Sequence, residues 1–415
     1  MFNNKSRDLT RRDFLRTVGA IGAGAALGRA NFAFAQDNAQ PAGDQADADA
    51  AEVPTRPFGT TGQDVSILSF GGTIDTSSQL LLKQAINYGV TYWDTAFSYG
   101  GGNSERGFGN YFAANSEDRD KVFLVTKSYQ RSPAGLTEEL TGSLERLQTD
   151  HVDLYCMHGI TQPGVFTDEI KTWVENAKSE GKIRFFGFSC HENMSICLAG
   201  AAELGWIDGA MFTYNFRTMV LDKALEGKLE KAVDAAHKAG MGLTGMKTQA
   251  KNMQSSDLDA EQALLEAFTP KGYSLEQAAL KAVWADQRIA CICAGMPNTA
   301  LLSTNVAAAV DKTSLTTADR SALARYAAAT SSDYCAACGE CRRTLKGRAP
   351  VCDVMRYVMY YKIYGQKHEA REMFAALPAE TRRTLTSIDY TPAERRCPQN
   401  VPIAQRMREA AELLA

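Results

Sequence analysis

The chain has 415 residues, 45% of them apolar and 22% charged, which is the balance of an ordinary globular protein long enough for one large domain and a smaller one. A net charge of −3 leaves no basic surplus and so excludes nucleic acid as the expected partner. Of the ten cysteines, five follow Ser332, which sets the end of the chain apart.

Residues 1–35 read as a twin-arginine export signal. Arg11-Arg12-Asp13-Phe14-Leu15 precedes a short Gly/Ala-rich apolar segment over 18–27, and Ala33-Phe34-Ala35 supplies a small-residue cleavage site. The apolar segment is too short for a stable transmembrane helix. The expected location is therefore periplasmic or otherwise outside the cytoplasm, with the twin-arginine translocase as a partner during export. Residues 36–54 carry five acidic side chains and no basic one, and read as a disordered linker.

From 55 to 330 short β-rich runs alternate with helical stretches. The runs are 65–71, 92–96, 122–127, 152–158, 183–190, 210–215, 242–247 and 289–294, and stretches such as 138–148 and 221–239 place apolar residues at helical spacing between them. Eight strands in this order predict an α/β fold closed as a (β/α)8 TIM barrel. A doubly wound open sheet has a similar local pattern, but the first βα turn, Gly71-Gly72-Thr73, lacks the GxGxxG fingerprint of that fold.

Four residues at the ends of these runs carry chemistry. Asp94 and Tyr99 stand five apart where Tyr-Trp-Asp-Thr-Ala gives way to Tyr-Gly-Gly-Gly, Lys127 closes the third run and His158 the fourth. Each alone has a plain structural reading: a buried aspartate held by loop amides, a packed tyrosine, a salt-bridged lysine, a rim histidine. Together on one barrel rim they predict an acid–base site. An ammonium beside the phenol favours the phenolate, a carboxylate holds the ammonium, and the polarised tyrosine passes a proton to a carbonyl oxygen that His158 orients.

On these residues the sequence resembles the aldo/keto reductase family over roughly 56–309. The matching pieces are RPFGTTGQDVS, YWDTAFSYGGGNSERGFG, VFLVTK, VDLYCMH, GKIRFFGFS, TYN and GMPNTALLSTNVAAA. The resemblance implies a nicotinamide cofactor, NADPH or NADH, across the barrel mouth, a carbonyl or alcohol substrate, and a catalytic tetrad of Asp94, Tyr99, Lys127 and His158. It also implies a carboxamide contact from Ser189, stacking of Tyr214 on the nicotinamide, and cofactor contacts from Gly295 and Asn305. Cys190, Met211, Pro297 and Ala300 depart from the family's usual Asn, Gln and basic residues, which weakens the electrostatic grip on the cofactor. A barrel that has lost nicotinamide and serves binding or electron transfer is the rival reading. The mouth loop 248–259 carries no specificity pattern.

Residues 331–415 read as a small, mainly helical ferredoxin-like domain. Cys335-x2-Cys338-x2-Cys341 opens an iron–sulfur motif whose Cys-Pro is replaced by Leu345, and a lone Cys397-Pro398 stands where a second motif would end, with Ala393, Tyr390 and Ser387 at its other positions. In two-cluster ferredoxins the fourth cysteine of each run serves the other cluster. One complete site survives, a single 4Fe–4S cluster on Cys335, Cys338, Cys341 and Cys397, with structural zinc on the same thiolates as the alternative. Such a cluster implies a redox partner protein, although no flavin motif links its single electron to a two-electron hydride. Cys352 is spare. Tyr357, Tyr360, Tyr361 and Tyr364 read as helix packing, and Cys156, Cys190, Cys197, Cys291 and Cys293 as small core residues.

Overall fold

All eight predicted runs join one closed parallel barrel in the computed structural model, which describes residues 52–249, 258–362 and 364–415. Two short strands precede it, β1 (Thr55–Pro57) and β2 (Asp64–Ser66), paired antiparallel. The barrel is β3 (Leu68–Gly71), β4 (Tyr92–Asp94), β5 (Phe123–Ser128), β6 (Val152–Met157), β7 (Ile183–Cys190), β8 (Gly209–Thr213), β9 (Gly242–Met246) and β10 (Cys291–Ala294), with β10 pairing β3 to close the ring. Helices connect the strands outside, the TIM-barrel arrangement. Their starts are set locally: Ser132 caps Pro133–Leu147, which has proline in its first turn, and Asn298 caps Thr299–Val310.

The predicted run 65–71 is two elements, because Val65 and Ser66 pair with β1 and bring Phe58 beneath the barrel as a fully buried plug. A Cβ on Gly242 would stand 2.4 Å from the Phe58 ring, so the plug requires glycine there. The helical stretch 221–239 is also broken. Glu226 and Gly227 take positive φ, and the Asp222 carboxylate accepts from Leu229 N and Glu230 N at 2.8 Å each, starting a second helix, Lys228–Lys238.

The export signal and linker residues 36–51 lie outside the described residues. The linker's expected end at 54 is too late, since Val53 is buried and its N–H donates to Tyr88 O at 2.9 Å. Among the described residues no helix is long and apolar enough to cross a membrane. Beyond Thr317–Ala329 the chain forms a helical lobe with its own core, including Leu345, Val354, Phe374, Leu385 and Met407. Its helices include Glu340–Thr344, Val351–Lys362, Lys367–Ala375 and Ile403–Leu414. Gly365, at φ +70°, separates the second and third of these.

Candidate active site

Alternation along the strands decides which side chains meet. Tyr92, Val125 and Cys156 belong to the cluster inside the barrel, whereas Trp93, Leu124 and Tyr155 belong to the layer between strands and helices. Two residues further along, the same period brings Asp94, Lys127 and His158 inside, at the C-terminal ends of β4, β5 and β6. Tyr99 arrives through a turn in which Gly100, Gly101 and Gly102 take φ of 57°, 62° and 87°, a succession that side-chain-bearing residues would strain to adopt. Glu105 anchors that turn: fully buried, it accepts from Thr126 Oγ1 and Arg146 Nε at 2.6 Å each. Nothing in the sequence marked it, because an acid in a helix's first turn is commonplace.

Lys127 Nζ lies 2.5 Å from Asp94 Oδ1 and donates to Thr95 O at 2.7 Å, with both side chains buried. The short contact and the second hydrogen bond offset the desolvation of the two charges. Burial still raises the Asp94 carboxyl, against the pull of Lys127. The ammonium sits 4.9 Å from the Tyr99 ring centroid, yet the phenol is pushed well up, by burial first and then by Asp94. Lys127 is engaged by Asp94 and Thr95, and the phenol of Tyr99 is held in its protonated form, the form a proton donor needs. The His158 ring stacks on Tyr129 (4.4 Å, 6°) and meets Tyr99 edge-on at 5.7 Å. Burial, then Lys127, Arg356, Arg131 and Lys247, hold His158 well below the usual histidine range. It is a neutral imidazole, able to hydrogen-bond an oxygen without holding a second proton.

Asp94, Tyr99 and His158 open into a chamber of about 390 Å³, a size suited to small molecules. The helical lobe forms part of its wall. Arg356, Tyr360 and Tyr364 line it, and Lys247 donates to the Tyr360 hydroxyl at 3.0 Å. Tyr360 and Tyr364 are therefore mouth residues and not only the helix packing expected of them. The available signal was the four-residue spacing of Cys352, Arg356 and Tyr360, which keeps them near one face of a helix. Cys293 also faces the chamber, its thiol 3.6 Å from Asp94 Oδ2, while Cys156, Cys190, Cys197 and Cys291 are buried as expected.

A model of the aldo/keto reductase family matches residues 65–326, the span that holds the barrel and the tetrad. The chain belongs to the aldo/keto reductase family. Among relatives, it is 31% identical over 205 residues to the aldo-keto reductase YhdN of Bacillus subtilis (strain 168), covering 46% of this chain and 60% of that protein. It is 25% identical over 288 residues to L-galactose dehydrogenase of Arabidopsis thaliana, covering 64% and 90%. The oxidoreductase YrpG of Bacillus subtilis (strain 168) is 34% identical over 156 residues, or 48% of its length, so the chain spans about half the length of such curated relatives. Among solved structures, the aldo-keto reductase AKR11C1 from Bacillus halodurans in its holo form superposes with a TM-score of 0.56 at 25% identity, covering 66% of this chain and 96% of that one.

The cofactor residues that the family resemblance implied are not all at the chamber. Gly295 lines it, and so do Met211 and Pro297. Asn305 lies behind, its Oδ1 accepting from Gln249 Nε2 at 2.7 Å and its buried Nδ2 unpartnered. Ser189 is buried, and its Oγ accepts from Gly159 N at 3.0 Å without reaching the chamber wall. The ring of Tyr214 packs with Phe212 and its hydroxyl donates to Asp286 Oδ2 at 2.8 Å. Thr248 and Gln249 represent the mouth loop at the chamber, with 250–257 outside the described residues.

Behind the chamber Cys335, Cys338, Cys341, Cys352 and Cys397 line one small cavity. Cys352, set aside by the spacing argument, has its sulfur 3.7 Å from that of Cys341. Among the described residues no three His, Cys, Asp or Glu side chains are already drawn together as ligands of one metal ion.

Proposed function

We propose that the chain is an exported oxidoreductase that reduces a carbonyl compound to an alcohol, or runs the reverse oxidation, with NADPH or NADH. The observation that carries this reading is the buried Lys127–Asp94 pair beside a protonated Tyr99 and a neutral His158 at one wall of the chamber. Bound nicotinamide would supply the hydride to the carbonyl carbon and leave as the oxidised dinucleotide, held by Gly295 and Asn305. The chain supplies the rest. His158 hydrogen-bonds the carbonyl oxygen and orients it, Tyr99 gives that oxygen its proton as negative charge develops, and Lys127 stabilises the phenolate left behind. Relatives are named for both directions, L-galactose dehydrogenase of Arabidopsis thaliana and methylglyoxal reductase YeaE of Escherichia coli (strain K12).

Tyr99→Phe tests the proton donor. The variant should lose about 10²- to 10⁴-fold in kcat for aldehyde reduction, while nicotinamide binding, read by fluorescence titration, stays within the wild-type range. Wild-type turnover in Tyr99→Phe would remove Tyr99 from the mechanism.

The C-terminal lobe belongs to the same proposal. Cys335, Cys338, Cys341 and Cys397 would carry a 4Fe–4S cluster, and what supports this reading is that all four line one cavity. The twin-arginine signal of residues 1–35 agrees, since that route carries proteins folded around a cofactor. A redox partner protein would meet the cluster.

A further inference from the structure

The chamber holds more positive charge than the tetrad uses. Lys127 is matched by Asp94 at 2.5 Å. Lys247 is not matched: it donates to the Tyr360 hydroxyl at 3.0 Å, and among the described residues no carboxylate lies within ion-pair distance of its Nζ. Arg356 donates from Nη2 to Asp353 Oδ1 at 2.7 Å, and its buried Nε has no partner. Asp353 is shared with Arg342, 3.3 Å away, which also holds Glu192. Two carboxylates thus serve two arginines, while Lys247 feels the chamber carboxylate Glu369 only from beyond ion-pair distance. A partly buried cation and an unpartnered guanidinium nitrogen on one wall are costly unless a ligand pairs with them.

We propose that Lys247 and Arg356, with the Tyr360 hydroxyl, bind a carboxylate carried by the substrate, so that the enzyme acts on aldehydes or ketones that are also acids. This rests on the oxidoreductase reading above. Both cations line the chamber into which Tyr99 and His158 open, so one molecule can present its carbonyl to the tetrad and its carboxylate to the cations. A guanidinium fork and a phenol are donors that match the lone pairs of a carboxylate. The other anion in reach is a dinucleotide phosphate, but the charge of Arg356 bears on His158, His191 and Tyr129, the carbonyl end of the site. Two carboxylates also line the chamber, Glu369 and Glu372, from the helix Lys367–Ala375. Glu372 is exposed and pairs with His368 at 3.2 Å, which puts it at the rim. A cationic substrate that used these two acids is the competing outcome.

The test compares 4-carboxybenzaldehyde with its methyl ester as substrates of the full-length protein at saturating NADPH. The wild type should favour the acid by about 10- to 100-fold in kcat/KM, the range of a hydrogen-bonded charge, with the difference in KM. Arg356→Gln should bring the ratio toward one, and Arg356→Lys should recover part of it. A wild type with no preference, a preference for 4-(trimethylammonio)benzaldehyde, or an Arg356→Gln effect confined to the KM for NADPH would each overturn the assignment. If no carbonyl is turned over, calorimetric binding of 4-(hydroxymethyl)benzoate against its methyl ester decides separately. A preference for the acid that Arg356→Gln abolishes sustains the carboxylate site while defeating the reductase reading, and equal binding defeats the carboxylate site.

Discussion

Burial first, and then the nearby charges of Lys127, Arg356, Arg131 and Lys247, hold His158 well below the usual histidine range. His191 is held down for the same leading reason, burial. In the unfolded chain both take up a proton near the ordinary histidine value of 6.5. Below that pH the unfolded state binds protons that the folded state refuses, so stability is full above 6.5 and declines as pH falls. Melting temperature should drop on acidification below 6.5, and His158→Gln should make that drop shallower. An unchanged slope in the variant would mean that the folded protein accommodates a charged His158. Asp94, Lys127 and His158 were legible in sequence because each ends a strand whose inward residues alternate. The partners of Tyr214 were not, because the residue after a strand's end follows local packing, here toward Phe212 and Asp286.

One helix, Val351–Lys362, connects the thiol cavity to the mouth. Cys352 lies at the cavity and Tyr360 at the chamber, eight residues or about 12 Å apart along the helix axis. One contact that seats this part of the lobe on the barrel is Arg342 to Glu192, two hydrogen bonds of 2.5 and 3.0 Å to an acid with only 3% of its side chain exposed. Arg342→Met leaves that acid buried and unpaired. Because Arg342 is itself about one-third exposed, at 34%, the expected cost is reduced to about 1–3 kcal/mol. Hydrogen exchange in Val351–Lys362 should then quicken while β4 to β6 stay protected. Equal protection in both proteins would show that Arg342 does not hold the lobe.

At the scale of the whole molecule, a barrel and a helical lobe with separate cores share one active-site wall. The five thiols between them allow two ligand sets with different signatures. The 3.7 Å between Cys341 and Cys352 sulfurs is near the edge of a zinc tetrahedron, about 3.8 Å for Zn–S bonds of about 2.3 Å. A cube with thiolates on separate irons spreads its ligands further. For a 4Fe–4S cluster, Cys397→Ser should lose iron and visible absorbance while Cys352→Ser keeps both, in protein purified without oxygen. Colourless wild-type protein that loses zinc in Cys352→Ser would replace the cluster with a structural ion.

The sequence by itself determined the barrel, because eight apolar runs of strand length, each followed by a helix, have few ways to bury both faces. It also placed Asp94, Lys127 and His158 together, since strand ends in a parallel barrel converge on one rim. Only the tertiary structure decided what covers that rim. Lys247, Arg356 and Tyr360 meet because a lobe more than a hundred residues later in the chain packs against the mouth. Such a contact depends on the docking of two separate cores, about which neither segment's periodicity carries information. The lobe's own packing gathers Cys352 with the other four thiols, although its spacing from Cys341 matches no ligand motif.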